Sequence, residues 1–219
     1  MIDHHESPSD YATLMYSDPS MSSTCEMVYH LINKLNKNAF TSEISNCLYT
    51  GIMTDTGSFR YPATTPKTHK AIAHLIEAGA SSSNIHEKIY DSASFSRLKL
   101  LGITLSNMKK IPNLPIVYMT LSQEELNTCN YKKGDTEGFV NYGLSLEGIL
   151  FSCIMIENQL EGILKMSFRS QGNFSVNNFA RIYFNGGGHH NAAGGMSKES
   201  IKETVIRFEK AIKEVANQF

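Results

Sequence analysis

The 219-residue chain balances 20 Lys and Arg against 21 Asp and Glu, so its formal net charge is -1. This excludes long-range electrostatic capture of nucleic acid; a polyanion would have to be short or gripped locally. A hydrophobic content of 41% excludes a disordered chain, and the length suits one large domain or two small ones. Cys25, Cys47, Cys129 and Cys153 form no CxxC pair and read as reduced, mostly buried thiols of a cytoplasmic protein. No apolar run is long enough to span a bilayer, and the polar N-terminus does not read as a signal peptide.

In chain order, Met1-Ile2 followed by Asp3-His4-His5-Glu6 reads as the last step of a strand entering a loop. Ser23 with Glu26 predicts a capping box opening a helix over 22–37, whose apolar positions are Met27, Val28, Leu31, Ile32 and Leu35. A second helix starts near Thr41 or Ser42, with Ile44, Cys47, Leu48 and Ile52 as its inner face. It runs into Thr54-Asp55-Thr56-Gly57-Ser58-Phe59-Arg60-Tyr61, an acid at a helix-to-loop boundary with hydroxyls, an arginine and aromatics beyond it. Thr65, Pro66 and Gly79 bound a third helix. Helices over 83–91 and 94–109 follow, the latter carrying Leu98, Leu101, Leu105 and Met108. The first hundred residues thus read as nearly all helix.

Pro112-Asn113-Leu114-Pro115 marks a linker. Beyond it, Ile116–Leu121 reads as a strand and Ser122 with Glu125 as a capping box on a short helix. Gly148 to Ile156 and Gly162 to Phe168 form a hairpin around 157–161, with Arg169-Ser170 ending its second run. A helix over 176–183 leads into the glycine loop Gly186 to Gly195, and a last helix, capped by Ser200 with Glu203, buries Ile201, Val205, Phe208, Ile212 and Val215.

Two segments carry chemistry. Gly-Gly-Gly-His-His-Asn-Ala-Ala-Gly-Gly over 186–195 has almost no side-chain bulk, so its amides could accept close approach by a phosphate or carboxylate, with an imidazole beside them. The bland alternative is a tight turn. Asp3-His4-His5 has residue types suited to a divalent metal, and adjacent histidines point different ways, so one could bind metal while the other faces a phosphate. Alone, that triplet is weak, and Asp55, Arg60 and Arg169 each have ordinary surface readings.

Together, Asp-His-His, Thr-Asp-Thr-Gly-x-Phe-Arg-Tyr, Phe-Arg-Ser and Gly-Gly-Gly-His-x-x-Ala-Ala-Gly, in this order around the proline-marked linker, resemble the DHH phosphoesterase family. The resemblance is to its oligoribonuclease and phosphoadenosine-phosphate phosphatase branch with the DHH-associated C-terminal domain, and it covers the chain from residue 2. It implies an α/β protein of two domains: a Rossmann-like DHH domain, N-terminally truncated and mostly helical here, over 1–110, and a smaller α/β C-terminal domain with a mixed sheet over 111–219. It also implies a hydrolase with two metal ions, usually manganese, working in a cleft between the domains. His4 matches a metal ligand with Asp3 as its supporting carboxylate, His5 a catalytic group close to the scissile phosphate, and Asp55 another metal ligand. Arg60 lies in a cleft-facing segment. Arg169, Ser170, Gly187, Gly188 and His189 match the substrate-gripping face, and His190 is expected to be exposed.

Complete members of the family carry a His-x-x-x-Asp-x-Asp type motif and a further aspartate ahead of Asp-His-His, and this chain has no Asp-x-Asp. The expectation is therefore a shortened phosphoesterase with an impaired metal centre and an intact C-terminal substrate-binding domain. Its substrates would be short oligoribonucleotides or adenosine 3',5'-bisphosphate, with no membrane partner. The helix faces left uncovered by missing strands favour association, including a homodimer. Two other readings stay open: a non-catalytic module binding nucleotides or RNA ends, and a polyphosphate-type phosphohydrolase.

Overall fold

A computed structural model describes residues 1–5 and 8–219; Glu6 of the N-terminal acidic and histidine cluster lies outside the described residues. The chain divides into two compact units, Met1–Ser92 and Ala93–Phe219. The C-terminal unit is thus the longer one, and it takes in the helix Phe95–Ser106, which the sequence reading joined to the N-terminal part.

In the first unit a short strand β1 (Ile2–Asp3) pairs in parallel with β2 (Tyr16–Ser17). Four helices follow: α1 (Thr24–Leu35), α2 (Ser42–Asp55), α3 (Pro66–Glu77) and α4 (Ser82–Tyr90). Their caps are the hydroxyl residues the sequence offers: Ser23, Thr41 and Thr65 each accept a first-turn N–H, and Thr65 forms a full capping box with Thr68. Tyr29, Leu48, Tyr49, Ile52, Met53, Ile72 and Leu75 make the core. On α2 the buried face is rotated by about one residue from expectation. Ile44 and Cys47 are exposed, while Ser45, Leu48, Tyr49, Ile52 and Met53 are buried. The reason is local: Gly51 abuts Cys25 so closely that an added Cβ would lie 2.1 Å from its sulfur, so α1 and α2 meet along the glycine side of the helix.

The second unit is a six-stranded mixed sheet. Helix α5 (Phe95–Ser106) leads to β3 (Lys109–Lys110), β4 (Ile116–Leu121), α6 (Gln123–Thr128), β5 (Phe151–Asn158) and β6 (Ile163–Ser170). Then come α7 (Val176–Tyr183), β7 (Gly187–His189), β8 (Ala192–Ser197) and α8 (Ile201–Val215). The strand order is β3-β4-β5-β6-β8-β7, with β4 and β5 parallel and the other neighbours antiparallel. One face packs on α7 and α8 through Phe151, Phe168, Phe179, Phe184 and Phe208. At β4 and β5 the other face is covered as well, by Leu100 of α5, Leu126 of α6 and Phe139 of the 3-10 segment Phe139–Ser145. Along β6 that second face is not apolar: Leu164, Met166 and Phe168 point to the core, while Lys165, Ser167 and Arg169 alternate to the other side.

The glycine stretch departs from the expected loop. It is a hairpin in which β8 pairs with both β6 and β7. Glycine has no strand preference of its own, but ladder bonds to β6 override that. Bare backbone is also required here, because a Cβ on Gly195 would lie 2.9 Å from the Phe168 ring and one on Gly186 would strike the Gly194 carbonyl. Among the described residues no helix is long and apolar enough to cross a membrane.

Candidate metal and nucleotide site residues

In the first unit the two histidines follow β1 and stay close together rather than pointing different ways, their rings edge-to-face with centroids 5.0 Å apart. His4 Nδ1 lies 3.2 Å from the Met21 carbonyl. A carbonyl only accepts, so in the neutral ring Nδ1 carries the proton and Nε2 the lone pair. That Nε2 lies 3.7 Å from Asp55 Oδ2, too long for a good hydrogen bond and a separation over which both atoms could ligate one divalent ion at about 2.1 Å each. Nitrogen and carboxylate oxygen suit Mn²⁺, Fe²⁺ or Zn²⁺.

Asp3, expected to support His4, accepts hydrogen bonds from His5. Residues 3 and 5 share a side of the extended chain, and Asp3 Oδ1 accepts from His5 Nδ1 at 2.6 Å and from its backbone N–H at 3.1 Å. These two bonds from His5 hold the Asp3 carboxyl below its usual range. Through Nδ1, Asp3 orients the exposed His5 ring.

Asp55 is the last residue of α2, and the turn after it is unusual. Gly57, Ser58 and Phe59 have φ of +56°, +60° and +65°, a run of left-handed residues that two side chains bearing a Cβ adopt against preference. Four contacts hold it. Thr56 Oγ1 accepts from the Phe59 N–H at 3.0 Å, Arg60 Nε donates to the Gly57 carbonyl at 2.8 Å, Ser58 Oγ sits 3.0 Å from His86 Nε2, and the Phe59 ring meets Tyr49 edge-on at 5.9 Å. Arg60 therefore ties the turn that displays Asp55, besides standing exposed on it.

In the second unit, Arg169 of β6 is opposite Ala192 of β8, and Ala192 is opposite His189 of β7. Directly opposed residues share a face, so the row Arg169, Ala192, His189 sets a cation and an imidazole on either side of a methyl group. Next to it, Ser167 opposes the exposed Gly194, extending a floor of minimal bulk. The Arg169 Nη1 donates to the Phe168 carbonyl at 2.9 Å. Gly188, at φ +154°, brings its N–H to Asn177 Oδ1 at 3.0 Å, and that oxygen also accepts from Arg181 Nε at 3.0 Å.

Ser170 does not belong to that row. It is buried, donates to the Phe174 carbonyl at 2.7 Å and accepts from Asn191 Nδ2 at 2.8 Å. Its single proton is committed to the Phe174 carbonyl. His190, expected to be exposed, is half-buried with Nε2 3.1 Å from the Asn173 carbonyl. Asn177 and Met21 are not among the residues the sequence singles out, whereas Ala192 stands in the Gly-Gly-Gly-His-x-x-Ala-Ala-Gly motif. Asn177 carries a signal, a polar residue on the inward side of α7 between Val176 and Phe179.

Residues 1–52 match the DHH family, N-terminal domain, and residues 113–218 match the DHHA1 domain. The chain is 31% identical over 209 residues to the bifunctional oligoribonuclease and PAP phosphatase NrnA of Thermus thermophilus, covering 94% of this chain and 61% of the relative. It is 30% identical to the Bacillus subtilis protein of the same name, covering 88% and 60%. An exopolyphosphatase-related protein from Bacteroides fragilis shares 39% identity and superposes with a TM-score of 0.93, over 100% of this chain and 64% of that one. The chain thus spans about three fifths of the length of these relatives. It belongs to the DHH family and carries that family's DHHA1 domain in its C-terminal half.

Proposed function

We propose that this chain serves a metal-dependent phosphoesterase, using manganese and acting on short oligoribonucleotides or adenosine 3',5'-bisphosphate. The observation that carries the reading is the His4 Nε2 to Asp55 Oδ2 separation of 3.7 Å, with the His4 tautomer set by the Met21 carbonyl. The relatives' names supply the substrate class.

His4 and Asp55 would hold a divalent ion, which when bound polarises phosphate oxygens and lowers the pKa of water. The chain's own residues do the rest. His5, oriented by Asp3, is placed to take or give a proton at Nε2 beside the phosphate. Arg169 can grip a phosphate with two parallel N–H bonds, and His189 can add a further donor. The methyl group of Ala192 and the backbone of Gly194 let the ligand lie flat on the strand. Gly187 and Gly188 carry His189 at the edge of the sheet. Ser170 contributes by holding the turn between β6 and α7.

The test is hydrolysis of a diribonucleotide and of adenosine 3',5'-bisphosphate by the 219-residue chain, with and without Mn²⁺, beside Asp55→Ala and Arg169→Ala. Turnover that needs the ion, is lost in the first variant and shows a raised KM in the second supports the phosphoesterase reading. Nucleotide binding that depends on Arg169 without turnover would replace it with the binding-module reading.

A further inference from the structure

Glu26 lies at the third position of α1, where its N–H donates to the cap oxygen Ser23 Oγ at 3.0 Å. A capping box would return the carboxylate to the Ser23 N–H. Instead the side chain turns inward and is 1% exposed. One oxygen accepts from Ser22 Oγ and, at 3.0 Å, from Thr68 Oγ1, and His30 Nε2 lies 3.5 Å from the other.

Burying a carboxylate is costly unless its lone pairs are met. Here two hydroxyl donors meet it, and the first turns of α1 and α3 add favourable dipoles. A packing role alone could be filled by an apolar residue. The Thr68 arm joins α1 to α3, which is a structural task. The Ser22 arm leads elsewhere: Ser22 follows Met21, whose carbonyl is the acceptor for His4 Nδ1 at 3.2 Å.

We propose that Glu26, acting through Ser22, is a positioning residue that holds the Met21 carbonyl against His4 Nδ1. It thereby keeps His4 in the Nδ1–H tautomer, with the Nε2 lone pair directed toward Asp55. Histidines that bind metals commonly have the second ring nitrogen fixed in this way, and loss of such a partner weakens metal binding about 10- to 100-fold. In this chain the fixing group is a main-chain carbonyl, so something must hold that peptide still, and the buried carboxylate does so. The consequence for metal binding rests on the phosphoesterase reading; the tautomer does not.

The experiment reads both separately. Long-range ¹⁵N–¹H correlation spectra of the metal-free chain report the His4 tautomer, and a Mn²⁺ titration of the same samples reports affinity. Ser22→Ala removes only the link to the loop, and Ser22→Cys keeps its shape with a weaker donor should the alanine variant fold poorly. Thr68→Ala severs only the arm to α3. The expected result is a single Nδ1–H tautomer in the wild type and in Thr68→Ala, and a mixture in the Ser22 variants and in Glu26→Ala. Manganese affinity should fall about tenfold in the Ser22 variants, while Thr68→Ala lowers only the melting temperature. An unchanged His4 tautomer in folded Ser22→Ala and Ser22→Cys would overturn the proposal. If the tautomer shifts as expected but the wild type binds no Mn²⁺, the positioning role stands and the metal reading falls.

Discussion

Arg169 and His189 stand in one row of the second unit's sheet, two strands apart, with the methyl group of Ala192 between them. Two strand spacings amount to about 10 Å, room for a phosphate and its flanking sugar. Leading to this row are strand pairing that overrides glycine's poor propensity and a β6 strand that alternates core and polar residues. The first unit brings together a different pair, His4 and Asp55.

Filling the floor of the row should remove binding without removing the fold. Ala192→Leu is expected to weaken adenosine 3',5'-bisphosphate binding at least tenfold, about 1.4 kcal/mol. Calorimetric titration alongside a thermal melt checks it. A wild-type affinity in the folded variant would mean that the ligand does not lie on this face.

Ser170→Ala separates a supporting role from a binding one. The substitution strands the Phe174 carbonyl and an Asn191 N–H, so about 1–3 kcal/mol of stability should be lost. Denaturant unfolding should show this loss, while nucleotide affinity in the folded variant changes less than in Arg169→Ala.

The left-handed run after Asp55 predicts a cost for Gly57→Ala. The added methyl would lie 2.5 Å from the Tyr61 ring. Tyr61 is half-exposed and can swing away, so what persists is the backbone penalty of about 1–2 kcal/mol. A lowered melting temperature should come with weaker Mn²⁺ binding, because the strain falls two residues from Asp55.

Tyr118 sets an alkaline limit. Burial, with help from the hydrogen bond to Glu209 and that carboxylate's charge, pushes its phenol from 10 up to about 12. The folded state therefore keeps a proton that the unfolded state releases. Stability tied to this group is fully present below pH 10 and declines between pH 10 and about 12. Tyr118→Phe should flatten that decline in chemical unfolding curves measured across the window, and tyrosinate absorbance should lose its latest-titrating component.

Much of this was legible because it is local. Ser200 with Glu203, Ser122 with Glu125 and Thr65-Pro66 announce helix starts through donor satisfaction a few residues away, and the structure places α8, α6 and α3 there. Runs of β-branched and apolar residues around 157–161 gave the β5–β6 hairpin. What stayed hidden depends on distant partners. The pairing of β7 with β8 needs β6, β2 is two exposed residues that exist only against β1, and the burial of Leu100 and Thr104 rather than Leu98 and Leu105 on α5 reflects where β4 lies. Of the candidate residues, the types of His4 and Asp55 in the first unit and of Arg169 and His189 in the second were readable, whereas the Met21 carbonyl beside His4 and the bond from His5 to Asp3 are matters of geometry.

The most direct measurement is calorimetric titration of Mn²⁺ into the 219-residue chain and into His4→Ala and Asp55→Ala, with folding of each confirmed by circular dichroism. Saturable binding to the wild type that is lost in both variants is the predicted result. Binding of equal strength in all three, or no binding to any, would contradict a metal site built on His4 and Asp55.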